Sequence, residues 1–302
     1  MSVFKPYNYN KNNSDVMKGA AQKNGFFHFF ELYFRKFWKY LSINIIYFLI
    51  TLPILFYFYL TVSGFLANVL GEAYEELFLG IGFYATVMSY IPTKLYTPLL
   101  LISIVIYGPL KMGVTYVYRN FAREEHAWLS DIFSKAMENF KQGLFFGILD
   151  FLVVMLLLNN IIGLGGTDAS AGIYAVLRYA SVVLLVIYMF MRHYFYMMAV
   201  TVNLGVFAIM KNSLLFVVMG FGRNILAMLA CLVIWGVTLF VVPLVTVVGL
   251  PVFTYAMSGF ATVFVCYPTV KKYIILPAME KAEKESDGAE QQIAPQDSDE
   301  LF

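Results

Sequence analysis

The sequence predicts an all-α polytopic membrane bundle, with six transmembrane helices and amphipathic helices at the cytoplasmic interface. Three observations predict it. Of 302 residues, 60% are apolar and only 13% are charged, against about 45–50% and about 25% in an ordinary soluble domain. Long runs carry no charge: Leu41 to Leu70 covers 30 residues and Asn224 to Val270 covers 47. Lysine and arginine alternate along the chain between rich and poor connections. A bilayer solvates an apolar excess that a soluble fold of this size would leave facing water.

The same arithmetic excludes other classes. A net charge of +2 makes no basic field for nucleic acid. Cys231 and Cys266 both sit in apolar runs, so a disulfide-stapled secreted domain is excluded. Residues 1–24 form a polar segment without the apolar stretch of a cleavable signal peptide. The membrane domain is expected over 25–276. The acidic tail 277–302 is too poor in apolar residues to order itself.

A hydrocarbon core about 30 Å thick takes about 20 helical residues. The first span is expected at 41–65. The second, 96–118, is broken by Gly108-Pro109 and carries Lys111; the third, 143–163, holds Asp150. The fourth is placed at 172–191, with Arg178 and Arg192 snorkelling to opposite interfaces. A shift to Tyr179–Val202 would bury Arg192 and His193 instead. Pro243, Gly249 and Pro251 mark a hairpin, which gives spans at 225–242 and 251–270.

Orientation follows from the basic residues. Counted by connection, 19 of the 21 Lys and Arg fall on one side and 2 on the other. The positive-inside rule then puts both termini in the cytoplasm of a multi-pass cell-membrane protein.

Three cytoplasmic stretches precede membrane hairpins. Phe26–Tyr40 carries His28, Glu31, Arg35 and Lys39 on one stripe and aromatics over most of the rest. Trp128–Lys141 has Leu129, Ile132, Phe133, Ala136, Met137 and Phe140 on one face, with charges opposite. Asn203–Phe216 is weaker. An interfacial helix followed by two spans thus occurs three times, although the sequence identity among the units is slight. Trp128, Ile132, Phe133 and Phe140 are the candidate interaction face, with the Ile132, Phe133 and Phe140 side expected to be buried. The outer connection 71–95 holds Glu72, Glu75 and Glu76 and has room for a short helix.

The aromatic-basic helix running into Ile43-Asn44-Ile45-Ile46-Tyr47, and the Leu52-Pro53 that follows, resemble the YesL-like family of bacterial membrane proteins of unknown function. Gly108-Pro109, Tyr116-Val117-Tyr118-Arg119 and Glu138-Asn139-Phe140-Lys141-Gln142 carry the same resemblance. In layout it covers roughly 25–276. Typical members keep the Leu-Pro and Gly-Pro elements a few residues apart, whereas 54 residues separate Pro53 from Gly108 here, which implies an enlarged outer region. Family members are often encoded beside carbohydrate importers of the ATP-binding-cassette type, so the resemblance implies an accessory to such a system. It supplies no catalytic or binding residues.

No catalytic pattern emerges. The three histidines are scattered, and there is no HExxH, CxxC, GxSxG or Walker A lysine motif, so neither enzyme activity nor a cofactor is expected. Lys111 and Asp150 are the informative polar residues. Each lies seven or eight residues inside its span, about 10–12 Å deep. A charge at that depth costs about 2.5–3.5 kcal/mol unless paired or hydrated. An ion pair between neighbouring spans answers both. Two functions remain open: an accessory or scaffold that binds another membrane component, or a small-solute or ion transporter or channel with a polar path past Lys111 and Asp150. Among partners, the bilayer and a transporter subunit are expected.

Overall fold

The computed structural model describes residues 25–70, 82–164, 172–240 and 243–280. The polar segment 1–24, most of the expected tail and the acidic stretch 71–81 lie outside the described residues. Helix α1 is Gly25–Arg35 and α2 is Phe37–Leu70. A short helix, α3, covers 82–89. Then follow α4 (Thr93–Ala122), α5 (Ser130–Glu138), α6 (Phe140–Gly163) and α7 (Gly172–Thr201). Next come α8 (Val206–Met219), α9 (Phe221–Phe240), α10 (Pro243–Gly249) and α11 (Tyr255–Val270). Among the described residues six helices are long and apolar enough to cross a membrane, so the chain is an all-α, multi-pass membrane bundle.

The order is an interfacial helix and two spans, three times over: α1 with α2 and α4, α5 with α6 and α7, α8 with α9 and α11. Each interfacial helix breaks from its span at one residue, Lys36, Asn139 or Gly220, and each span then begins on a phenylalanine, Phe37, Phe140 or Phe221. The second spans α4, α7 and α11 touch one another and form an inner triangle. Each first span packs against its own second span and against that of the preceding unit, the third unit preceding the first. Each interfacial helix packs against its own first span and against the second span of the preceding unit. The units close like a ring, and the inner triangle is the core.

Packing is uneven along the bundle axis. At the end that carries the interfacial helices, every residue of α4 from Gly108 to Phe121 is buried except Lys111, as are Tyr194 to Thr201 of α7. Toward the other end, Ser103 is the one buried residue of α4 before Gly108, and Ser181 the one buried in α7 before Tyr188.

Glycines set the closest approach. A Cβ on Gly108 would lie 1.9 Å from the Gly143 carbonyl oxygen and 2.8 Å from the Gly147 Cα. Gly143 and Gly147, four apart on α6, therefore let two backbones meet, as small residues do between membrane helices. The expected break at Gly108-Pro109 is absent: α4 runs through both residues, and Gly108 serves helix contact instead of a kink.

Two span assignments need correction. The fourth helix extends to Thr201, ten residues past the expected end at 191, and it encloses Arg192 and His193. The last helix starts at Pro243, so Gly249 and Pro251 lie inside a continuous helix that reaches Glu280 and takes in the first residues of the expected tail. Pro251 is accommodated by a widened π-helical turn, Leu250–Thr254. Side chains take up the backbone groups loosened there. Asn44 Nδ2 donates to the Leu250 carbonyl at 2.7 Å, Asn44 Oδ1 accepts from Ala256 N at 2.6 Å, and Thr254 Oγ1 donates to the Gly249 carbonyl at 2.9 Å. Tyr84 on α3 donates to the Val247 carbonyl, the acceptor that Pro251 cannot serve because it lacks an N–H.

Candidate functional site, a charged cluster at the bundle centre

Lys111 is eight residues from Arg119, Asp150 ten from Phe140, and Arg192 nine from Thr201. At 1.5 Å per residue each lies roughly 12–15 Å from the interfacial-helix end, about midway across a bilayer core. The cluster marks the boundary between the packed and loose halves.

Asp150 is 3% exposed and every one of its partners donates. Arg192 Nε reaches Oδ2 at 2.8 Å, Tyr196 Oη reaches the same oxygen at 2.7 Å, and Lys111 Nζ stands 3.3 Å from it. Tyr188 Oη donates to Oδ1 at 2.7 Å. Tyr107 Oη accepts from Lys111 Nζ at 3.3 Å and from Arg192 Nη2. Lys111 also lies 4.0 Å from the centre of the Tyr196 ring, within cation–π range. Two cations thus share two oxygens, Asp150 Oδ2 and Tyr107 Oη. Buried ions persist only when paired and hydrogen-bonded, and this carboxylate has four donors.

Sequence reasoning singled out Lys111 and Asp150, which the structure brings together, and it misplaced Arg192. Arg192 does not snorkel to an interface; it is the nearer cation to Asp150. A signal was available in the spacing. Tyr107 precedes Lys111 by four residues and Tyr188 precedes Arg192 by four, so each cation carries a tyrosine one turn away on the same helix face. His193 points elsewhere, with Nδ1 3.9 Å from Cys266 Sγ. Among the described residues no group of three His, Cys, Asp or Glu side chains is placed to hold a metal ion.

The candidate interaction face divides. Ile132 is fully buried, its backbone pressed against α4 where a Cβ on Gly113 would lie 2.0 Å from the Ile132 carbonyl oxygen. Phe133, expected to be buried with it, is 54% exposed, together with Met137 and the preceding Trp128. The reason is geometric: nine residues of helix seated on one glycine can turn only a narrow stripe inward, here Ile132 and Ala136. Phe140 belongs to α6 and is half-buried.

A second polar assembly ties α1 and α2 to the loop after α4. His28 and Arg35 meet Glu124 at 3.5 and 3.1 Å. Lys36 donates to the Glu125 carbonyl at 3.1 Å and Lys39 to the Ala127 carbonyl at 2.9 Å. Glu124 adopts φ 59°, a left-handed conformation uncommon outside glycine, at the end of α4. Burial, then the neighbouring Arg35 and Lys39, push the Lys36 ammonium down to about 8. Arg119 Nη1 donates to the Val200 carbonyl at 2.9 Å and to Thr201 Oγ1 at 3.2 Å, a cation at the C-terminus of α7 where the helix dipole favours one.

What the fold and site define is a class: an all-α membrane bundle built from three helix–hairpin units around a central charged cluster. Compared with protein-family models, with curated proteins and with solved structures, the chain finds no match.

Proposed function

We propose that the chain is a non-enzymatic accessory or scaffold protein of the cell membrane, with both termini in the cytoplasm, that holds a second membrane component. The YesL-like resemblance makes a carbohydrate importer of the ATP-binding-cassette type the candidate partner. One observation carries this reading. Helix α5 is locked by its backbone into α4 at Gly113, yet it presents Phe133 and Met137 outward, 54% and 71% exposed, beside the preceding Trp128 at 68%. Apolar side chains on a rigid element dock at little entropic cost. The test places a photoreactive residue at 133 and illuminates native membranes. Cross-linking to an importer subunit supports the reading; cross-linking to lipid alone counts against it. A reporter that works only outside the cell, fused to the C-terminus, is predicted to stay silent.

The central cluster favours a second reading, a small-solute or ion transporter or channel. Charged groups midway across a bilayer mark transport paths by default. Reconstituted protein that moves solute across liposomes, and stops on Asp150→Asn, would support it.

A further inference from the structure

We propose that Lys111 and Arg192, with the Tyr107 hydroxyl, form a binding site for a small monovalent anion at the centre of the bundle. The proposal stands apart from the accessory reading and from the transport reading, because an anion held there can be structural or cargo.

Charge counting raises the question. Among the described residues, Asp150 is the one carboxylate within the six spanning helices apart from Glu280 at the last residue of the sixth. Two cations meet it, so the cluster carries one positive charge in excess. An uncompensated charge at this depth is costly unless it is paired or hydrated.

Geometry gives the answer a place. Asp150 is sealed at 3% exposure, whereas the side chains of Lys111 and Arg192 keep 20% and 29%. The carboxylate is sealed, then, while both cations are left partly uncovered by the rest of the chain. Donor capacity is left over on both cations. Arg192 uses Nε on Asp150 and Nη2 on Tyr107, while Nη1 has only the Met189 sulfur at 3.9 Å. Lys111 makes two bonds of 3.3 Å each, long for an ammonium on a carboxylate. Because the two heads share the Asp150 and Tyr107 oxygens, they are close enough to meet one small anion together. A guanidinium edge and an ammonium suit a halide or a short carboxylate. Beyond the cluster the packing of α4 and α7 loosens, with Ser103 the one buried residue of α4 before Gly108 and Ser181 the one of α7 before Tyr188.

The experiment uses the intact purified protein, melted in potassium gluconate, chloride or acetate at equal ionic strength. Gluconate is monovalent and much bulkier than chloride or acetate. Chloride or acetate is expected to raise the melting temperature over gluconate by about 3 °C or more, saturably, as ligand linkage requires. Arg192→Gln should abolish the rise. Lys111→Met should abolish it as well, and should melt in gluconate no lower than the native chain does, because it removes the surplus charge and keeps the Arg192–Asp150 pair. Equal melting of the native chain in all three salts overturns the proposal. So does a rise that survives in both variants, which would be a general salt effect. Loss of folding in Lys111→Met also overturns it, since a needed cation is not a surplus one. A tyrosinate ultraviolet band without anion dependence would mean that Tyr107 itself supplies the second negative charge.

Discussion

Arg192 Nε lies 2.8 Å from Asp150 Oδ2, closer than Lys111 Nζ at 3.3 Å from the same oxygen. The guanidinium also binds Tyr107, so α7 is tied through one side chain to both α6 and α4. Those helices come from two different units. A single arginine therefore joins the first unit to the second at the depth where packing loosens, and the cost of burying it is met by the carboxylate and by the tyrosines around it.

Glycine contact between α4 and α6 should be decisive for stability. Gly108→Ala would place a methyl group 1.9 Å from a backbone carbonyl, so the helices must separate and Asp150 must move away from Lys111. A loss of about 3 kcal/mol or more is expected from such overpacking. Gly236→Ala on α9, with nothing within 4 Å, is the control and should gain roughly 0.5–1 kcal/mol. Reversible unfolding in detergent measures both.

Asn44 is predicted to be structural. Replacing it with Ala removes one buried hydrogen bond from the Leu250 carbonyl and one from the Ala256 amide beside the π turn. The expected cost is roughly 2–4 kcal/mol, from two buried hydrogen bonds lost. Hydrogen exchange should show the loss first at residues 250–256. Uniform loss of protection across all six spans would argue against this local role.

Lys36 sets a pH dependence. Its ammonium is pushed down to about 8 from 10.5, so between those values the unfolded chain binds the proton and the folded chain does not. Stability from this group rises with pH through that window, and the penalty of burying the charge is fully present below it. The difference in melting temperature between the native chain and Lys36→Met should therefore move in favour of the native chain from pH 7.5 to pH 9.5. A difference that stays flat, or that moves the other way, contradicts the burial of Lys36.

Composition and uncharged runs made the helical membrane class legible, because apolar length is a property of single segments. Partnership was harder to read. Arg192 looked terminal because 20 residues suffice to cross a bilayer, whereas α7 has 30 and its last two turns pack inside the inner triangle. Pro251 looked like a hairpin because proline breaks helices, and no local pattern reveals that Asn44 and Tyr84, far away in sequence, serve the groups around it. Phe133 looked buried because it shares a stripe with Ile132; the seat on Gly113 is tertiary. Lys111 and Asp150 were visible because a lone charge in an apolar run announces that it needs a partner.

The central claim is that Asp150 and Arg192 form one electrostatic unit at the heart of the bundle. A double-mutant cycle on Asp150→Asn and Arg192→Gln tests it most directly, by equilibrium unfolding of both single variants and the double variant. Asp150→Asn leaves two cations without a carboxylate, while Arg192→Gln takes from Asp150 its nearer cation and leaves it the longer Lys111 contact, so Asp150→Asn should be the worse. The account predicts a coupling of about 2 kcal/mol or more, larger than that of the parallel cycle through Lys111. Losses that add to within about 0.5 kcal/mol would mean that the two side chains act independently, and would contradict it.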